Sequence, residues 1–470
     1  MRTDPTTTSP VTDGATTIAA SATGDAPIVP ATTDQATTDQ ARTDRATIGP
    51  MTTEPPMTSP ASTGPARTDP AVPDPSGAST TTIRPTRGGN PALEDFLAAH
   101  EDRRERLGLV RTLVARPPRL PAPEQGEGLL DLAGNDYLGL LTHPDVVEGA
   151  VAAVRAYGGG AGSSRLVTGH LEIHDELEHA LAAHLRAPSA LAFSTGYHAN
   201  LAALSALTDA NTLVVSDAHA HASLIDGARL SRAQVVVARH NDVAHVADLC
   251  AARGDRRVLI VVESVYSVLG DAAPLADLVA VAEEHDATLL VDEAHGVGVV
   301  GDVGEGLVAA TGFAGHPRVV VTLTMSKSLA AQGGAVLADP RVRTHLVNAA
   351  RPFVYDTGLA PAAAGAALGA LGVLAHGSDL PSRVRANAAM LADACGIEPV
   401  AGAVHSVPMP GPDEALAAVD RAACAGVRIG CFRPPSTPDG DSRLRFTAHA
   451  DHTATDLAPA LAVLREIIDA

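Results

Sequence analysis

Val319-Val320-Val321-Thr322-Leu323-Thr324-Met325-Ser326-Lys327-Ser328 joins a run of apolar residues to the single lysine of a 470-residue chain. Every other basic side chain is arginine. Arginine stays protonated, whereas a lysine amine can be made neutral, nucleophilic and basic by its surroundings. A chain that writes arginine everywhere else and lysine here points to a task that needs an amine, above all a Schiff base with a carbonyl. Codon bias, with one surface lysine surviving by chance, is the competing reading. The neighbouring residues decide between them.

Outward from that run, the middle of the chain repeats its pattern. Candidate strands are Ala190–Phe193, Thr212–Ser216, Gln234–Ala238, Val258–Glu263, Ala287–Asp292, Val319–Thr324 and Gly334–Leu337. Several are apolar on successive residues instead of alternating, which suits strands covered on both faces. Between them lie amphipathic stretches such as Pro274–His285, where Leu275, Leu278, Val279 and Ala282 recur at helical spacing. This rhythm predicts an α/β fold with a doubly wound, mostly parallel sheet, whose ligands gather at the carboxyl edge of the strands. Polar residues fall at that edge: Gly196 after the first strand, Asp217 and His221 after the second, Glu263 and Ser267 after the fourth. Asp292 and His295 follow the fifth, and Thr324 and Lys327 the sixth. Beyond Leu337 the chain turns helical and alanine-rich from about Pro361 to Leu374, with Val404–Met409 and Arg443–Thr447 as further strands. The expected organisation is an N-terminal arm over 91–134, a large domain over 135–355, and a linking helix with a small C-terminal α+β domain over 356–470.

Residues 1–90 are dominated by Thr, Pro, Ala, Asp and Ser, with near-repeats Thr32-Thr33-Asp34-Gln35 and Thr37-Thr38-Asp39-Gln40. Such a stretch has too little apolar surface to offset chain ordering, so a disordered tail is expected. It lacks the apolar core of a secretion signal, and Met51 and Met57 offer starts further in. The formal charge of −20 argues against nucleic acid and against an anionic membrane surface. Cys250, Cys395, Cys424 and Cys431 have neither disulfide-framework density nor metal-ligand spacing. No apolar stretch reaches transmembrane length without polar interruption. A cytoplasmic protein without a metal is expected.

Pyridoxal phosphate chemistry needs a phosphate cradle, an acid for the pyridine nitrogen, a donor to the ring oxygen, a stacking side chain and the lysine. Each has a candidate. Ser194-Thr195-Gly196-Tyr197-His198 sits between a strand and a helix start, where backbone amides suit a phosphate dianion; a plain glycine turn would look the same. Asp292, in Val291-Asp292-Glu293-Ala294-His295-Gly296, ends a buried strand and can keep a pyridinium protonated, or merely cap the turn. His295 could reach the ring oxygen, or bond to loop backbone. His221, in His219-Ala220-His221-Ala222-Ser223, could stack on the ring, or lie on the surface.

From about Leu107 to the C terminus the chain resembles the α-oxoamine synthases, fold-type I pyridoxal phosphate enzymes. The motifs that carry the resemblance are Asn135-Asp136-Tyr137-Leu138-Gly139-Leu140, Ser164-Arg165-Leu166-Val167-Thr168-Gly169, His221-Ala222-Ser223-Leu224-Ile225-Asp226-Gly227, Asp292-Glu293-Ala294-His295-Gly296 and Thr324-Met325-Ser326-Lys327. The resemblance implies Lys327 as the Schiff-base lysine and Asp292 as partner of the ring nitrogen. It implies His295 on the ring oxygen, His221 over the ring, Gly196 and Tyr197 at the phosphate, and Ser267 and Thr324 as further cofactor contacts. Arg433, in Phe432-Arg433-Pro434-Pro435-Ser436, matches the arginine that handles the amino-acid carboxylate, Ser436 a substrate contact, and Arg111 an acyl-substrate contact. A homodimer with its site at the subunit interface is also implied. Val268-Leu269 stands where the family often has Met-Asp, and Asp356-Thr357 where it usually has Ser-Thr.

Arg433-Pro434-Pro435 leans toward the branch that condenses L-alanine with a pimeloyl thioester, carried on coenzyme A or a carrier protein, with loss of carbon dioxide. The nearest alternative keeps the chemistry and changes the substrates to glycine with a short acyl thioester, or serine with a long one. A non-catalytic partner subunit is a second alternative, opposed by the retention of Lys327, Asp292 and His295. A serine-type hydrolase built on Thr324-x-x-Lys327 is a third, opposed by the lack of any partner motif.

Overall fold

The computed structural model describes residues 90–113, 115, 128–434, 436–437 and 439–469. The expected tail lies outside the described residues apart from Asn90, whose side chain caps the helix Pro91–Arg106 by accepting from the Ala92 amide at 3.2 Å. All seven expected strands form and pair into one sheet. Its order is Ala190–Phe193, Gly334–Leu337, Val319–Thr324, Thr288–Asp292, Arg257–Glu263, Thr212–Asp217 and Gln234–Ala238. Gly334–Leu337 runs antiparallel to both neighbours, and every other pairing is parallel.

Both faces of this sheet are covered, as the continuous apolar runs require. Leu213, Val215, Ile260, Val262, Leu289 and Val291 point into one core. The residues between them, including Val214, Leu259, Val261 and Leu290, point into the other. Gln234–Ala238 departs from this pattern: it is an edge strand, and Val235 and Val237 are exposed.

Because six strands share one direction, their carboxyl ends line one edge, and the helix Gly196–Leu207 starts there. Thr195 caps it, its hydroxyl accepting from the His198 amide at 3.0 Å. A Cβ at Gly196 would come within 2.7 Å of Thr324 Cβ, so only glycine lets this helix start close against the lysine strand.

A second, antiparallel sheet orders Gly430–Phe432, Ser442–Thr447 and Val404–Met409. The loop after Arg257–Glu263 presses on it at Gly270, where φ is +80° and a Cβ would stand 2.0 Å from the Val404 carbonyl. This contact brings Arg445, on Ser442–Thr447, to the carboxyl edge of the main sheet. No helix among the described residues is long and apolar enough to cross a membrane.

Candidate active site

Strand ends and helix starts enclose a cavity of about 250 Å³ lined by Gly196, Tyr197, His221, Asp292, His295 and Lys327 among others. Thr324 also lines it, its hydroxyl 2.7 Å from that of Ser326. The sequence therefore brings seven of its expected site residues to one place. Asp292 is 4 % exposed and both its oxygens are held, Oδ2 by Asn200 Nδ2 at 2.7 Å and Oδ1 by the Ala294 amide at 2.9 Å. Asn200 also donates to Ser223 Oγ, which lies 2.7 Å from His221 Nδ1. One buried amide thus couples the acid to the histidine wall. Tyr197 donates to Asp226.

Lys327 Nζ lies 2.7 Å from His295 Nε2. Burial pulls the amine down to about 8, opposed chiefly by the Asp292 charge, with Arg445 acting in the same direction as burial. Burial, then the Lys327 and Arg445 charges, push His295 well below the usual histidine range, so it is neutral at pH 7. The chain of bonds beyond it fixes its tautomer. Arg445 Nη2 can only donate, so Asn135 presents Oδ1 to it at 3.2 Å. Tyr137 donates its one hydroxyl proton to the same oxygen at 3.0 Å. The Tyr137 oxygen must then accept from His295 Nδ1, 2.7 Å away. This leaves the Nε2 lone pair facing Lys327. Tyr137 is fully buried, and that burial pushes its hydroxyl up to about 12, so it keeps its proton.

Ser267 lies beside this cavity; its amide donates to Glu263 Oε2 at 3.1 Å and its carbonyl accepts from Arg445 Nε at 2.9 Å. The other three expected residues lie elsewhere. Arg111, Arg433 and Ser436 line a second cavity of about 230 Å³ with Leu109, Cys431 and Phe432. Arg111 donates to Ser436 Oγ at 2.8 Å. Arg433 donates to the carbonyls of Gly108 and Val110, so it holds the N-terminal arm and does not face the lysine cavity.

Four residues of the site had no role assigned from sequence. Asn135 and Tyr137 were visible only as members of a motif. Asn200, one helical turn after Gly196, carried no signal of its own. Arg445 looked like one alternating position of a strand, yet it is 4 % exposed and stacks on Phe432 with its Cζ 5.1 Å from the ring centre. Among the described residues no carboxylate comes within ion-pair distance of it. A guanidinium buried without an acid is costly and suits an anion-binding position. Asp356, the departure from Ser-Thr, accepts from Ser194 Oγ at 2.5 Å and lies 3.4 Å from His198 Nδ1, beside the helix start.

The residues present fit pyridoxal phosphate: an amine, an acid with both oxygens fixed, and a glycine-cleared helix start face one cavity. The family described as aminotransferase class I and II matches residues 127–464. Over 384 residues the chain is 50 % identical to the 8-amino-7-oxononanoate synthase of Mycolicibacterium gilvum (strain PYR-GCK), a match covering 82 % of this chain and 99 % of that relative. The chain belongs to the class I and II aminotransferases, in their 8-amino-7-oxononanoate synthase family. Solved structures resemble it as well. The 8-amino-7-oxononanoate synthase of Francisella tularensis superimposes with a TM-score of 0.63 at 26 % identity, covering 73 % of this chain and 98 % of that one. Serine palmitoyltransferase from S. paucimobilis, solved with bound PLP–myriocin, gives 0.73 at 30 % identity, covering 81 % and 98 %. The expected α/β architecture is that of a fold-type I enzyme, and its cofactor is pyridoxal phosphate.

Proposed function

We propose that the chain condenses L-alanine with a pimeloyl thioester, releasing carbon dioxide, as an 8-amino-7-oxononanoate synthase of biotin biosynthesis. The observation that carries the reading is a lone lysine amine, lowered to about 8, set 2.7 Å from a neutral histidine beside a fixed aspartate. Bound pyridoxal phosphate supplies the carbonyl that takes up the amino acid and the electron sink that stabilises its α-carbanion. Lys327 holds the cofactor, then removes and returns the α proton, a task suited to an amine that titrates near neutrality. Asp292 keeps the ring nitrogen charged, and His221 forms the wall over the ring. Gly196, Tyr197 and Thr324 serve the phosphate end, and Ser267, bonded to Glu263 and Arg445, is a further contact to the cofactor. His295, its Nε2 lone pair toward Lys327, accepts a hydrogen bond from the ammonium.

The amino-acid carboxylate is assigned to Arg445, because that guanidinium is buried without an acid beside Lys327 and His295. Arg433 keeps a positioning role at the arm, and Arg111 and Ser436 serve the acyl substrate from the second cavity. The apolar side chains left exposed on the helix Pro91–Arg106, with Val167 and Tyr355, support a homodimer. The separation of the seven-stranded sheet from the three-stranded one supports the division at about residue 355. A cytoplasmic location agrees with the chain's charge.

Product analysis of purified protein with alanine, glycine and serine against pimeloyl, acetyl, succinyl and palmitoyl thioesters tests the reading. The alanine–pimeloyl pair is expected to give the fastest release of carbon dioxide. A clear preference for glycine with acetyl or succinyl thioester would refute the substrate assignment and leave the cofactor chemistry standing.

A further inference from the structure

Glu263 ends the strand Arg257–Glu263 in register with Asp292 of the next strand. It is 1 % exposed and forms part of the lysine cavity wall. The two carboxyls are served unequally. Asp292 has a well-placed donor on each oxygen, whereas Glu263 accepts one well-formed bond, from the Ser267 amide at Oε2, with the His221 amide acting on it more weakly. Its Oε1 is buried with no partner. Adjacent strands lie about 4.8 Å apart, and two buried carboxyls that close do not both ionise. The proton therefore goes to the acid with fewer donors. Burial, followed by the Asp292 charge, pushes Glu263 well above the usual carboxylate range, with Lys327 pulling the other way.

We propose that Glu263 is a second acid of the site, kept neutral, which donates a hydrogen bond from Oε1 to the bound cofactor. The pairing divides two tasks between neighbouring strands. A protonated Glu263 leaves the single negative charge on Asp292, where the ring nitrogen needs it. An ionised Glu263 would compete for that charge and push a proton onto Asp292. Meanwhile a buried O–H must find an acceptor, and among the described residues Oε1 meets none. The cavity occupant is what remains. The inference rests on pyridoxal phosphate being that occupant.

The test compares full-length wild type, Glu263→Gln and Glu263→Met. Infrared difference spectra of the holoproteins at pH 7 should show, for wild type minus Glu263→Gln, the carbonyl band of a protonated carboxyl that shifts in deuterium oxide. Titration of the resolved chains with pyridoxal 5′-phosphate should give about tenfold weaker binding for Glu263→Met, the worth of one buried hydrogen bond. Glu263→Gln, whose amide can still donate, should recover most of that loss. Absence of the band, binding by Glu263→Met equal to wild type, or a Gln variant no better than Met would each overturn the proposal. If Glu263→Met fails to fold by circular dichroism, the infrared comparison with the isosteric Gln variant still decides. Wild type that bound no pyridoxal phosphate would instead defeat the cofactor reading, while the band would still report the proton.

Discussion

The lysine cavity and the arm cavity are built from different materials. The lysine cavity rests on strand ends and one helix start, whose positions are set by a seven-stranded sheet buried on both faces. The second cavity is closed by the arm at Leu109 and Arg111 and by the segment from Cys431 to Ser436, with Arg433 clasping arm carbonyls. A rigid edge suits bond-making groups that must be held in place. A clasp between an arm and a loop suits a substrate that must enter and leave. The expected consequence is a split: damage at the first cavity lowers kcat or abolishes turnover, and damage at the second mainly raises the acyl-substrate KM.

The largest effect belongs to Lys327→Arg. Arginine keeps the charge but cannot form the imine or act as the base, and no other lysine exists to replace it. Turnover should fall below detection, and the near-visible absorbance of the lysine-bound cofactor should vanish while the far-ultraviolet circular dichroism is unchanged. Retained absorbance with retained activity would end the amine reading.

Next comes the contrast between the two arginines. Arg445→Ala should raise the alanine KM by about a hundredfold, the order expected when one partner of a buried charge pair is removed. Arg433→Ala should affect the alanine KM far less and act on the acyl thioester, because its guanidinium is engaged by the Gly108 and Val110 carbonyls. Steady-state kinetics with each substrate varied in turn separate them. An Arg433→Ala variant with the larger alanine defect would reverse the assignment.

The same contrast explains what could be read from sequence. Val319–Thr324 and Thr288–Asp292 announced themselves because a strand covered on both faces must be apolar throughout, so a carboxylate or lysine at its end stands out. Lys327, Asp292 and His295 were legible for that reason. Arg445 was not: on Ser442–Thr447 it alternates with Leu444 and Phe446 as any outward-facing residue would. Only the contact of the Gly270 loop with Val404 turns that face toward the site. Asn200 was hidden similarly, since a polar residue in a helix reads as solvent-facing until its neighbours are known. Arg433, expected from the resemblance at the amino-acid carboxylate, lies with Ser436 at the second cavity, a placement that depends on the fold of the arm and not on any local pattern.

A smaller effect should follow from Tyr137→Phe. Without the hydroxyl, His295 Nδ1–H loses its acceptor, and the ring is free to turn a proton toward Lys327. The ammonium then loses the Nε2 lone pair, so the amine should titrate below its present value of about 8. Because Lys327 is the only lysine, amine labelling of its peptide in the resolved protein, followed by mass spectrometry across pH, reads this directly. A midpoint that falls, with kcat/KM reduced about tenfold for one lost hydrogen bond in the network, is expected. An unchanged midpoint would show that the tautomer is fixed by something else.

The smallest effect is on stability and concerns the tie between the two regions. His240 bonds Asp217, at a strand end, through Nδ1 and Asp271, in the Gly270 loop, through Nε2, each at 2.8 Å. Burial acts to lower its pKa, but the two aspartates outweigh burial and raise it to about 9. A folded pKa above the unfolded value of about 6.5 means stabilisation that is complete below pH 6.5 and lost as pH rises through 9. In His240→Asn this pH-dependent part, of order 2 kcal/mol, should disappear. Denaturant unfolding of wild type should therefore lose more stability between pH 6 and pH 10 than the variant does. Parallel losses would mean that the histidine is not charged between its two aspartates. The loop would then be held against the small sheet by the close approach at Gly270 and by the bond from Arg445 to the Ser267 carbonyl, and Arg445 would keep its place without this tie.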